Sequence, residues 1–133
     1  ARLGAPRAVI RQGDRIVLIR IARLFRSTMS AEELYEATRK WWRVGGPRRQ
    51  VGSPRAPEWA FAVHDSLVRA VFRIEKWLPA NATDVEQDHK RRGRWCFVGH
   101  QDVEMEKLYV PTSVKEQMSR SSQSPLLFLN CGK

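Results

Sequence analysis

The sequence has little cysteine and no long apolar run. Its 133 residues include only two cysteines, Cys96 and Cys131, and neither belongs to a CxxC pair. We therefore expect two free thiols in a reducing cytoplasm rather than a disulfide framework. Apolar runs such as Ile16–Ile19 are a few residues long, whereas a membrane helix needs about 20 apolar residues. The start, Ala1–Arg15, has no apolar segment either, so we expect no secretory signal and no membrane partner.

Residues that would hold a metal ion are also few. The three histidines lack the spacing of a zinc motif and lie far apart in the chain: His64, His89 and His100. The two cysteines do not complete a ligand set with them. We therefore expect no metal and no cofactor.

The sequence also lacks a pattern that names a reaction. His64, Asp65 and Ser66 carry the residue types of a catalytic triad, but three consecutive turn residues cannot adopt its geometry. Glu75 and Lys76 weakly resemble a nuclease E-x-K pattern, without the intervening residue or a suitable upstream aspartate. We therefore assign no catalytic residue and expect binding rather than catalysis.

Acidic residues are scarce in the first part of the chain. Residues 1–55 contain thirteen Lys or Arg and four acids, a net charge of +9, whereas residues 56–133 contain eleven and ten, a net charge of +1. A one-sided positive field attracts polyanions, which favours a nucleic-acid partner, RNA or DNA. The alternative is a soluble basic protein from an arginine-rich proteome, and the ratio of 18 Arg to 6 Lys fits that as well.

The first strand is predicted by its residue composition, and the first helix by its capping residues. Asp14–Ile21 reads as a strand rich in Ile and Val, covered on both faces because four consecutive residues are apolar. Ser30 and Glu33 form a capping box that begins a helix running from about Ala31 to Trp42. The glycines and proline that follow end this helix.

The rest of the chain predicts a small sheet with short helices. Alternating strands on either side of His64–Ser66 form a hairpin, and β propensity predicts strands near Trp95 and over Pro125–Cys131. In the second hairpin strand, Val68, Ala70, Phe72 and Ile74 should share one apolar face. The fold class is therefore α+β, with a small, curved and mostly antiparallel sheet or a partly closed barrel. One domain spans 1–133, with 1–13 as a flexible basic lead-in.

The tryptophan pair offers one candidate for stacking on a base. Adjacent helix positions point about 100° apart, so Trp41 would continue the buried stripe from Leu34 and Trp42 would lie at its edge. A partly exposed Trp42 among arginines can stack on a base. The alternative is that Trp42 packs against the returning loop.

The basic candidates fall into two groups. The helix end and the loop after it supply five residues: Arg39, Lys40, Arg43, Arg48 and Arg49. Arg69 and Arg73 on the long strand, with Arg94, can form a basic track across the sheet. The alternative is cross-strand pairing with acids such as Glu58 and Glu75. A second basic run, His89–Arg94, is either a solvated loop or a contact arm, and Trp59 and Trp95 are further stacking candidates.

Several segments together resemble a group of uncharacterised bacterial proteins, over about Leu34–Cys131: LYEATRKWWRVG, EWAFAVHDSLVRAVFRIEKWLP, RGRWCFVG, LYVPTSV and SPLLFLNC. The strand SLVRAVFRIEKW also looks like a strand of PUA-like barrels such as EVE and ASCH domains. This resemblance implies a small curved barrel with flanking helices that binds RNA or modified DNA bases in a pocket between barrel and helix. It carries no functional residue over to a numbered position.

Three functions are compatible with these patterns. The first is a cytoplasmic nucleic-acid-binding module, for RNA or modified DNA, that uses a basic helix and loop and a stacking aromatic residue. The second is a protein-interaction or oligomerisation domain with a Trp/Arg interface. The third is an enzyme acting on a small anionic, nucleotide-like substrate held by the loop glycines. The oligomeric state stays open.

Overall fold

A computed structural model describes residues 6–21, 28–81, 92–118 and 124–132. Within them lie five strands: β1 (Ile16–Arg20), β2 (Trp59–His64), β3 (Leu67–Pro79), β4 (Trp95–Gln101) and β5 (Leu126–Leu129). The described helices are α1 (Ala31–Arg39), α2 (Val103–Tyr109), α3 (Lys115–Met118) and a 3-10 helix (Gly46–Arg49). None of these described helices is long and apolar enough to span a membrane.

The strands form one open sheet in the order β4–β3–β2–β1–β5. β1 and β2 are parallel, because the connection through α1 returns the chain to the same end of the sheet, and the other three pairs are antiparallel. The α+β class and the mostly antiparallel sheet are confirmed. The sheet is not closed, so a barrel is not confirmed.

Both faces of the sheet are covered. On what we call the helix-1 face, α1 packs on a cluster that includes Val17, Ile19 and Phe72. On the opposite, helix-2 face, α2 and α3 pack on a cluster that includes Ile16 and Leu18. The alternation of β1 residues between two buried faces explains the four consecutive apolar residues and confirms the prediction that this strand is interior.

A bulge changes the predicted pattern of β3. The pairing of β3 with β2 skips Arg69, so the alternation of side chains shifts there. Val68 therefore lies on the helix-2 face with Val71, whereas Phe72 and Ile74 lie on the helix-1 face. The expectation that Val68 shares a face with Ile74 was wrong because strict alternation holds only in a strand without bulges.

The β2–β3 hairpin is confirmed, with a tighter turn than the sequence suggested. Asp65 and Ser66 both have positive φ, 53° and 63°. Two consecutive left-handed residues make a two-residue turn that matches the twist of the strands. His64 consequently belongs to β2.

Helix α1 begins as predicted and ends early. Both hydrogen bonds of the capping box between Ser30 and Glu33 are present. The helix ends at Arg39, three residues before the predicted end, and Lys40 is extended, with φ −143° and ψ 156°. Trp41 and Trp42 therefore follow the helix instead of belonging to its last turn.

The backbone of Trp42 pairs with the outer edge of β4. Trp42 N donates to Trp95 O over 2.8 Å, and Trp95 N donates to Trp42 O over 2.7 Å. These two bonds compete with the continuation of α1, because a helical Trp42 would bond within its own helix. The early helix end is therefore a consequence of tertiary pairing.

Side chains of α1 bond to the same edge further along β4. Arg39 Nε donates to Phe97 O over 2.9 Å, and Gly99 N donates to Tyr35 Oη over 2.9 Å. Alternate residues of an edge strand turn their polar groups outward, where they can pair with another chain. Outward backbone groups of β4 are bonded in this way at Trp95, Phe97 and Gly99. Their partners are side chains of α1 and the backbone of Trp42.

The described part of the predicted lead-in packs against the helix-2 face. Ala8 N donates to Ser113 O over 2.7 Å. Arg11 Nε donates to Asp14 Oδ2 over 2.7 Å, and Tyr109 Oη donates to the same oxygen over 3.3 Å. Burial raises the pKa of Tyr109. Residues 1–5 of the lead-in lie outside the described residues.

Asp102 caps α2 and is expected to make stability pH-dependent. Its carboxylate accepts from Met105 N over 3.0 Å and from Trp59 Nε1 over 2.9 Å. Burial opposes its charge, but these bonds and the charges of Arg73 and His100 lower the pKa below its ordinary value of 3.8. A depressed folded-state pKa means that the stabilisation is present above the unfolded-state pKa and is lost as pH falls through the folded-state pKa.

We therefore expect Asp102→Asn to be less stable than wild type at about pH 7, and the difference to shrink towards about pH 2. Urea unfolding of both proteins, followed by circular dichroism across this range, measures the difference. A difference that is the same at all pH values would contradict the assignment to the Asp102 carboxylate.

Candidate functional site

One surface carries basic residues from a stretch of the sequence that contains no acid. The sequence has no Asp or Glu between Glu36 and Glu58. This acid-free segment begins at the β4 edge, where Trp42 pairs with Trp95, and reaches the far side of the sheet, where Gly132 N donates to Pro54 O over 3.0 Å. We call the four arginines of this segment that follow Trp42, with the one before β4, the arginine belt: Arg43, Arg48, Arg49, Arg55 and Arg94.

Two adjacent arginines hold the belt to opposite edges of the sheet. The Cζ of Arg48 lies 4.3 Å from the ring centroid of Phe128 in β5. The Cζ of Arg49 lies 3.7 Å from the ring centroid of Trp95 in β4. Since β4 and β5 are the two edge strands, the 3-10 helix that carries these arginines lies across the helix-1 face. Both contacts are cation–π interactions.

Backbone carbonyls fix the same two guanidinium groups. Arg49 Nε donates to Val44 O over 3.0 Å, and Val44 is itself buried in the helix-1 cluster. Arg48 Nη1 donates to Arg55 O over 3.2 Å. In each of these bonds the guanidinium uses one of its five N–H donors for position.

The other belt residues lie at its two ends. Arg94 Nη1 donates to Trp41 O over 3.3 Å. Arg43 is exposed and passes beside Gly93, where an added Cβ would lie 3.7 Å from Arg43 Nη1. Arg55 is also exposed, and its Cγ lies beside Gly132. Gly93, with φ of 74°, provides the turn that brings Arg94 back towards the belt.

Basic residues outside the belt are mostly paired with acids. Glu36 pairs with Arg39 and Lys40, each over 3.3 Å. Arg15 and Arg73 pair with Glu58, over 3.2 and 3.1 Å. Four belt residues form no ion pair with any acid in the described part of the chain: Arg43, Arg48, Arg49 and Arg55. These four guanidinium groups therefore carry positive charge that the described acids do not neutralise.

The structure separates Arg69 and Arg73 from the belt. Arg73 lies 5.2 Å from the Trp59 ring on the helix-2 face and pairs with Glu58, which is the alternative that the sequence left open. Arg69 lies at the bulge near the hairpin, whereas Arg94 precedes the far end of β4, roughly 30 Å away at 3.3 Å per strand residue. Arg69, Arg73 and Arg94 do not form one continuous track.

Arg39 and Lys40 border the belt but have other contacts. Arg39 bonds Phe97 O and lies 5.3 Å from the Tyr35 ring, and its side chain is only 17% exposed. Lys40 Nζ lies 5.7 Å from the Trp41 ring. Arg39 is positioned as part of the β4 edge rather than as a free phosphate ligand.

The two tryptophans exchange the positions that helix geometry predicted. Trp42 packs against the helix-1 cluster, and its Nε1 donates to Thr38 O over 2.8 Å. Trp41 is half-buried and belongs to neither apolar cluster of the described residues. The assignment of Trp41 to the core was wrong because α1 ends at Arg39, and successive side chains of extended chain point to opposite sides.

One feature of this site was missed in the sequence. Phe128 joins the belt only through a tertiary contact, whereas the loop that carries Arg48, Arg49 and Arg55 is a candidate phosphate site in the sequence already. Of the basic run His89–Arg94, residues 89–91 lie outside the described part of the chain. Among the described residues, no three His, Cys, Asp or Glu side chains are placed to hold a metal ion.

Comparison with known proteins gives no match to a family model, to a curated protein or to a solved structure.

Proposed function

We propose that this chain is a nucleic-acid-binding protein whose arginine belt contacts phosphates. The observation that carries the proposal is a row of guanidinium groups on one surface, four of them without an ion pair to a described acid. Two of these groups are fixed on aromatic rings. A planar guanidinium binds phosphate oxygens through paired N–H donors, and fixing the side chain beforehand reduces the entropy lost on binding.

Polyphosphate chains match the belt better than a single small anion does. The belt extends from the β4 side to the β5 side of the sheet, so its charges are distributed along a path. A nucleic-acid backbone offers phosphates along such a path and releases counterions when they are neutralised. The resemblance to PUA-like domains, which bind RNA or modified DNA, stays a hypothesis in accord with this function.

A pair of charge-matched double variants tests the belt. Arg43→Gln with Arg55→Gln removes two exposed belt charges, and Arg7→Gln with Lys107→Gln removes two exposed charges that pair with acids elsewhere. Fluorescence anisotropy with labelled RNA and DNA oligonucleotides measures the affinity. We expect the belt variant to bind at least about tenfold more weakly and its salt slope to fall by about 1.4 to 1.8, whereas the control stays close to wild type.

Two outcomes would overturn the proposal. The first is no binding to any single-stranded or duplex RNA or DNA at low salt. The second is an equal loss of affinity in both double variants, because a site at the belt cannot depend equally on charges far from it.

A further inference from the structure

The Arg49–Trp95 contact places a guanidinium group over an aromatic ring. The guanidinium carbon lies 3.7 Å from the ring centroid, a separation that allows the two planes to stack. Arg49 remains half-buried rather than fully covered. A guanidinium plane that rests on an aromatic ring is a surface on which an unpaired base can stack. Arg48 on Phe128, at 4.3 Å, offers a second such surface at the opposite edge of the sheet.

The charges around the belt disfavour a rigid duplex. Helix α1 lies on the same sheet face as the belt, and its first turn exposes two acidic residues, Glu32 and Glu33. A duplex that reached the belt would bring its second strand of phosphates towards these carboxylates, with a repulsion that a flexible single strand avoids by following the belt.

The described helices also lack the features of a recognition helix that binds in the major groove of DNA. The exposed part of α2 carries Glu104 beside Lys107, and α3 carries Lys115 beside Glu116. A helix that enters the major groove of DNA presents several basic or polar residues along one face. The four belt arginines without an ion pair to a described acid lie in the loop and 3-10 helix after α1 instead.

We propose that the belt binds single-stranded nucleic acid, with an unpaired base stacked on the guanidinium of Arg49 and phosphates at Arg43, Arg48 and Arg55. This inference rests on the proposed function and specifies its substrate class. The half-buried Trp41, whose backbone carbonyl accepts from Arg94, would provide a further stacking surface at the β4 end of the belt.

Four labelled probes test the inference by fluorescence anisotropy on the whole protein: a single-stranded RNA, a single-stranded DNA of the same sequence, the corresponding duplex, and a DNA strand of equal length without bases. We expect wild type to bind each of the two base-containing single strands about tenfold more tightly than the duplex and the abasic strand. A preference between the RNA and the DNA strand would identify the sugar that the site reads, and either preference supports the inference.

Arg49→Lys separates stacking from charge. Lysine keeps the positive charge but has no planar group, so we expect the variant to lose about tenfold in affinity for the base-containing strand and to keep its affinity for the abasic strand. Arg7→Lys, a matched change at an exposed position outside the belt, should leave both affinities near wild type. The wild-type comparison of probes does not depend on whether either variant folds.

The failures of the two proposals are distinguishable. Equal affinity of wild type for the abasic strand, the duplex and the base-containing single strands would overturn the stacking inference and leave phosphate binding by the belt intact. No binding of any of the four probes would overturn the proposed function itself.

Discussion

Replacing Gly99 by alanine should destabilise the protein by about 3 kcal/mol, near the upper end of overpacking effects. A Cβ added at Gly99 would lie 1.9 Å from the carbonyl oxygen of Arg73 and 3.0 Å from its carbonyl carbon. These are backbone atoms of β3, so no side chain can move aside. β4 would have to separate from β3 at the residue where Gly99 pairs with Ile74 and where its amide bonds to Tyr35.

Gly45→Ala is the matched control for this change. An added Cβ at Gly45 has no heavy atom within 4 Å, and φ is −65°, which alanine adopts readily. We expect a change within about 0.5 kcal/mol. Urea unfolding followed by circular dichroism compares both variants with wild type. Equal stabilities of the two alanine variants would show that the β3–β4 approach is not as close as described.

Trp42→Ala should destabilise the protein by about 2 to 3 kcal/mol, whereas Trp41→Ala should change stability by less than about 0.5 kcal/mol. Trp42 packs on the helix-1 cluster, and its indole donates to Thr38 O. Its partial exposure places the expected loss somewhat below that of a fully buried tryptophan. Trp41 belongs to neither cluster of the described residues.

The two tryptophan variants should also differ in binding, in the opposite direction. At a temperature where both are folded, we expect Trp41→Ala to weaken binding of single-stranded nucleic acid several-fold and Trp42→Ala to affect it less. Thermal unfolding and anisotropy on the same samples give both quantities. If Trp41→Ala were the more destabilising of the two, the packing assigned to this pair would be wrong.

The sequence predicts best where local signals and burial agree. The consecutive apolar residues of β1 indicate an interior strand, and Ser30 with Glu33 marks the start of α1. Both signals come from residues that are neighbours in the sequence. The bulge at Arg69 leaves no such signal, since it arises from the register between β2 and β3. The α+β class therefore follows from the sequence, and the face of Val68 does not.

The candidate site is likewise predicted from the sequence in part, and the rest of it depends on tertiary contacts. Its charge is visible in the sequence as the interval without acids from Glu36 to Glu58. The stack of Arg48 on Phe128 joins residues eighty positions apart and cannot be found from spacing. The end of α1 at Arg39 depends on the pairing of Trp42 with Trp95, so helix geometry applied to the sequence places the two indoles in the wrong order.

The bonded edge of β4 limits how copies of this chain can join. Addition of a strand at an edge requires backbone groups that face outward and are not already bonded. At Trp95, Phe97 and Gly99 such groups already bond to Trp42, Arg39 and Tyr35. An endless stack of sheets needs two receptive edges on every copy, so these bonds oppose polymerisation of folded copies through the β4 edge.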